Sequence, residues 1–144
     1  MSLEESEARG KLGAHSHGVL GTLHPERGVD LTPIVYATDG EFLGSPVDLV
    51  KKKSSLRLQR ERNLESDPRA TLLIEQWDRD DWSRLWWVRA ELKWVGEDRG
   101  RRAETLAARL AESYVQYRHK PFARMLVFEI VGATGWTASG SSST

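Results

Sequence analysis

The 144-residue chain has no cysteine. That excludes disulfides and thiol chemistry, and it fits a reducing cytosol. An excess of charge is also missing: 21 basic residues balance 21 acidic ones, for a formal net charge of +0. Nothing in that total calls for nucleic acid or an anionic membrane, so any anion site must be local. No apolar run approaches the roughly 20 residues that a membrane-spanning helix needs. The opening MSLEESEARGKL is acidic and has no apolar signal core. The expectation is one soluble, cytoplasmic domain over 1–144, with its core in about 11–139 and a loose tail over 140–144. A metal set is lacking too. His15 and His17 alternate at a strand start, His24 and His119 are distant in sequence, and Asp78, Asp80 and Asp81 read as turn formers.

What is present is pattern. Ser2 to Leu12 reads as a short polar helix capped by Ser2. GVLGTLHPERGVDLTPIVYATDGEFLGSPV reads as three strands with turns at Pro25–Gly28 and Thr38–Gly40. Pro33 falls inside the second of these strands. A central ladder rejects proline because it lacks an N–H, so Pro33 marks an edge, a bulge or a break facing a ligand. A helix is expected from Ser55 to Leu64, then strands over Ala70–Trp77 and Leu85–Val95. Ala103, Leu106, Ala107, Leu110 and Tyr114 recur at helical spacing inside Arg99–Tyr117. A last strand runs from Met125 to Trp136. About six strands with flanking helices predict a small, mostly β barrel with α-helices packed outside.

Tryptophan is concentrated: five of the six lie between Trp77 and Trp94. Strand alternation puts Trp86, Val88, Ala90, Leu92 and Trp94 on one apolar face, which is core. The other face carries Leu85, Trp87, Arg89, Glu91, Lys93 and Val95. A face mixing indole with charge meets water, a partner chain or a polar aromatic ligand. A basic segment precedes it: Lys51, Lys52, Lys53, Arg57, Arg60 and Arg62 stand against Glu61 alone. Lysines beside a helix start capped by Ser54 or Ser55 make an anion site, with phosphate its natural ligand. Arg57 and Arg60, three apart, are expected on one helix face. A solvated basic helix is the plainer alternative.

These stretches together resemble the pyridoxamine 5′-phosphate oxidase-like, FMN-binding split β-barrels. Within them the chain is most similar to the actinobacterial flavin- or deazaflavin-dependent oxidoreductases. The resemblance is carried by VLGTLHPERGVDLTPIVYATDGEFLGSPVD, KKKSSLRLQRERNLESDPRATLLIEQW, DDWSRLWWVRAEL and YRHKPFARMLVFEIVGATGWTAS, and it spans about Lys11 to Ser139. Three lysines stand where the family carries Lys-Pro-Lys, and KPFAR replaces a Pro-Pro-x-Gly turn. The resemblance implies a six-stranded antiparallel Greek-key barrel and a homodimer with cofactor grooves between its subunits. It implies phosphate and tail contacts from Lys51, Lys52, Lys53, Arg57 and Arg60, with Ser45 near the phosphate. Pro33, Ile34 and Val35 would run beside the ring system. Trp77, Trp87 and Arg89 would wall the groove, and Trp136 would reach it from the partner chain.

The implied activity is an oxidoreductase that uses the reduced deazaflavin coenzyme F420 to pass a hydride to an electron-poor small molecule. An FMN-dependent oxidase or reductase is the alternative. A non-catalytic flavin- or tetrapyrrole-binding barrel is a third reading, since one fold hosts many functions. No catalytic side chain is assigned, because such a cofactor carries its own hydride.

Overall fold

The structure, a computed structural model, describes residues 1–48, 57–97, 100–119 and 122–139. Three helices and seven strands follow one another as α1 (Glu5–Ala14), β1 (His17–His24), β2 (Gly28–Val35), β3 (Ala37–Asp39), β4 (Phe42–Asp48), α2 (Gln59–Ser66), β5 (Arg69–Gln76), β6 (Trp86–Glu97), α3 (Arg101–Ser113) and β7 (Phe122–Thr137). The strands form one antiparallel sheet in the order β2-β1-β5-β6-β7-β4-β3.

The sheet curls until β2, at one end, meets β4 near the other. Strand twist drives this, helped by register shifts in the β6–β7 ladder after Glu91 and Trp94. The inner face is the core. Leu72 and Ile74 of β5, Val88, Ala90 and Leu92 of β6, and Leu126 and Phe128 of β7 interdigitate there with Leu20, Tyr36 and Leu43. Tyr36 is wholly buried, and its hydroxyl donates to the Leu12 carbonyl at 2.6 Å, tying α1 across the barrel end. A second cluster lies outside, where α3 packs Ala103, Leu106, Ala107 and Leu110 against Ala37, Met125 and Val127. Gly44 permits that approach: a Cβ there would lie 2.7 Å from a Leu106 methyl. The β1–β2 turn is closed by His24 Nδ1, which accepts from the Glu26 and Arg27 amides, and by Gly28 at φ 95°.

Four expectations change. Among the described residues the strand count is seven, because Ala37–Asp39 pairs with β4 where a turn over Thr38–Gly40 was expected. Three residues are too few to show a period. Ser2 does not cap α1; it bridges to Trp136, and the helix starts three residues later with Glu7 reaching back to the Glu4 amide. α2 starts at Gln59 rather than Ser55, and its first turn is closed by Glu61 accepting from the Leu58 amide at 2.9 Å. α3 stops at Ser113, and Val115–Tyr117 continues as a 3₁₀ turn.

Candidate functional site

Pro33 lies on β2, which is an edge of the sheet. β4 is covered by β3 only as far as Gly44; beyond it, among the described residues, Ser45–Asp48 pairs with β7 alone. The two uncovered edges border a seam, and the seam holds a cleft of about 330 Å³. Its walls are His17, Gly18, Pro33, Ile34 and Val35 on one side and Ser45 and Pro46 on the other, with Arg60 and Tyr117. Five residues expected to touch a cofactor therefore meet in one place: Pro33, Ile34, Val35, Ser45 and Arg60.

Arg60 is positioned by the underside of α2. Asn63, fully buried, donates to Thr22 Oγ1 at 3.0 Å and to Asp30 Oδ2 at 2.9 Å, which fastens the helix to the β1–β2 hairpin. Beside it Glu61, also fully buried, accepts two hydrogen bonds from Arg124 at 2.6 and 3.0 Å. Burial pushes the Glu61 carboxyl up. The Arg124 hydrogen bonds, the Leu58 amide and the charges of Arg124 and Arg57 outweigh that, and the net shift is downward. Glu61 is thus held as a carboxylate beneath the seam.

Arg57 is placed differently from Arg60. It precedes the helix and pairs with Glu61 at 3.5 Å and Glu65 at 3.2 Å, away from the cleft. The expected shared helix face fails because the chain is extended at Leu58. Lys51, Lys52 and Lys53, and the capping serines Ser54 and Ser55, lie outside the described residues.

The aromatic candidates occupy the outer face of the sheet. Trp87 is directly across from Trp136, and the Arg89 guanidinium lies 4.9 Å from the centre of the Trp87 ring. Trp77 sits just past β5 and is 58% exposed; Trp82 is 64% exposed, and their ring centres are 5.7 Å apart. None of these side chains reaches the cleft within one chain. Arg89 instead borders a larger groove of about 790 Å³ over β1, β2, β5 and β6. Val19, Leu23, Val29, Leu31, Leu73 and Val131 line this groove, and Arg69, Glu91 and Lys93 join Arg89 around them.

Sequence reasoning did not identify His17, Pro46 or Tyr117 as wall residues. Pro46 carried a usable signal, since a second proline inside a strand marks a second uncovered edge. His17 and Tyr117 carried none, because a hundred residues separate them and only the curl of the sheet brings them together.

No protein-family model matches the chain, and no curated protein matches it. Solved structures do match. An FAD-binding protein from Mesorhizobium loti superposes with a TM-score of 0.71 at 12% identity, over 94% of this chain and 95% of its own. A haem-binding protein from Mycobacterium smegmatis gives 0.68 at 18% identity, over 94% of this chain and 54% of its own. An FMN-binding protein from Syntrophomonas wolfei gives 0.64 at 16% identity, over 92% and 86%. The fold, a mostly β split barrel with helices outside, is the one these cofactor-binding proteins share.

Proposed function

We propose that the chain is a flavin-dependent oxidoreductase of the pyridoxamine 5′-phosphate oxidase-like type that holds FMN at the seam cleft. The supporting observation is the meeting there of Pro33, Ile34, Val35, Ser45 and Arg60. The residues fit such a group in kind: a guanidinium and a buried hydroxyl for phosphate, and apolar strand side chains for a flat ring. FMN, when bound, supplies hydride and electron transfer to a small electron-poor substrate.

The chain's part is placement. Arg60 and Ser45 hold the phosphoryl end, and Lys51–Lys53 are the further anion contacts this reading calls for. Ile34 and Val35 exclude water from the ring's side. His17 and Tyr117 stand in the same walls with N–H and O–H groups able to donate a proton. At about 330 Å³ the cleft is at the small end for a ligand pocket. It holds one end of a flavin, and a second copy supplies the rest. The apolar outer groove supports that homodimer: Leu31 is 70% exposed and Val131 57%, with both signs of charge close by. Trp77, Trp87, Arg89 and Trp136 face outward and are the side chains a dimer seam would bring to its partner's cleft.

Two other cofactors have specific support. The basic run from Lys51 to Arg62 suits the acidic tail of coenzyme F420. His17 offers an axial ligand for haem at the cleft itself. Separate titrations with FMN, F420 and haemin, following cofactor fluorescence or absorbance, distinguish them. Saturable binding of FMN, one per chain, is expected. Binding of F420 alone transfers the activity to the deazaflavin, binding of haemin alone makes the barrel a tetrapyrrole carrier, and binding of none removes the proposal.

A further inference from the structure

Two of the five prolines stand inside strands, Pro33 in β2 and Pro46 in β4, and both line the seam. Their backbone direction follows from the ladders. Along an antiparallel strand the N–H and C=O of one residue point to the same side, and successive residues alternate. The Tyr36 amide donates to the Ser16 carbonyl at 2.9 Å, so residues 16 and 36 form a bonded pair. Stepping through His17↔Val35 and Gly18↔Ile34 to Val19↔Pro33 puts Pro33 at a non-bonded position, with its nitrogen and carbonyl turned away from β1. On the other side the Ile130 amide donates to the Glu41 carbonyl at 2.7 Å. The same alternation turns Phe42, Gly44 and Pro46 away from β7. β3 occupies the first two, and Pro46 is left facing the seam.

Each uncovered edge therefore offers the seam a carbonyl with no N–H beside it. Two strand edges zip together only where donors meet acceptors, and at these residues neither edge supplies a donor. We propose that Pro33 and Pro46 together keep the barrel from closing at this point, and that a carbonyl left free there accepts the imide N–H of the planar heterocycle bound in the seam. The ligand-binding half rests on the flavin reading above; the seam half does not. Pro33 and Pro46 are positioning residues, acting through the backbone.

The test uses Pro33→Ala, Pro46→Ala and the double variant, each of which introduces an amide at an edge. Amide hydrogen exchange is read on the cofactor-free proteins, with far-ultraviolet circular dichroism to verify the fold. In the double variant the new amides at 33 and 46 are expected to exchange at least about a hundredfold slower than unstructured ones, as the seam pairs. FMN affinity is expected to fall at least tenfold, and N3-methyl FMN, which lacks the imide N–H, to bind the wild type at least tenfold more weakly than FMN. Free exchange at both new amides overturns the seam role. Slow exchange at both new amides with unchanged FMN affinity, or equal affinity for the methylated analogue, overturns the acceptor role. A wild type that binds no FMN ends the flavin reading instead, and the exchange measurement still decides the seam.

Discussion

The seam cleft and the outer groove share strands β1 and β2, yet they are built from opposite materials. The groove is more than twice as large, about 790 against 330 Å³, and its concave wall is Val, Leu and Ala side chains. The cleft converges a histidine, a serine, an arginine and a tyrosine on two strand edges. Size alone selects the groove as the binding site; chemistry selects the cleft. A wide apolar concavity ringed by mixed charge suits another protein surface, and a narrow one with converging polar groups suits a small ligand.

The largest effect breaks the cleft side alone. Arg124→Met strips the buried Glu61 carboxylate of its main partner and is expected to cost about 3–5 kcal/mol of stability in urea unfolding. The same pair sets an acid limb. The folded Glu61 pKa lies below its ordinary 4.5, so the unfolded chain binds the proton more readily. The pair's stabilisation is complete above about pH 4.5 and drains as the pH falls through the depressed folded value. The double variant Glu61→Gln with Arg124→Met removes that component, and its stability is expected to vary less over this window.

The next effect falls on the groove. Leu31→Arg puts a charge into the most exposed part of the apolar wall and is expected to raise the dissociation constant of the proposed homodimer at least about a hundredfold. Analytical ultracentrifugation reads this; a wild type that is monomeric at all concentrations would abolish the role assigned to the groove. A finer contrast lies within the basic segment. Arg60→Ala is expected to weaken FMN binding about tenfold or more, as loss of a charged hydrogen bond does. Arg57→Ala, whose guanidinium is engaged by Glu61 and Glu65, is expected to change it less than about threefold. Equal losses in the two titrations would erase the distinction. The smallest effect is Trp77→Ala, which removes an exposed indole and is expected to shift stability by less than about 0.5 kcal/mol.

Much of this was legible in the sequence where a period is long enough to read. The alternation of β6 foretold the burial of Trp86, Val88, Ala90 and Leu92, and the 3.6 spacing foretold the buried stripe of α3. Pro33 announced an edge, a bulge or a break facing a ligand, and its strand is an edge. Expectations failed where a local signal competed with a distant partner. The start of α2 is set by Glu61, whose partner Arg124 is 63 residues away. Grouping Arg57 with Arg60 treated both as free cations on one helix, but the extended chain at Leu58 and two carboxylates separate them. The placement of His17 and Tyr117 depends on how far the sheet curls, which no stretch of sequence encodes by itself.

The distribution of the indoles has an optical consequence. Trp77 and Trp82 stand mostly in water at one end of the β5–β6 hairpin, Trp86 is buried, and no tryptophan lines the seam. Intrinsic emission therefore combines a red component from the hairpin tip with a blue one from the interior. A second copy settling on the sheet's outside would shift the red component, whereas a chromophore entering the seam would dim the spectrum through energy transfer.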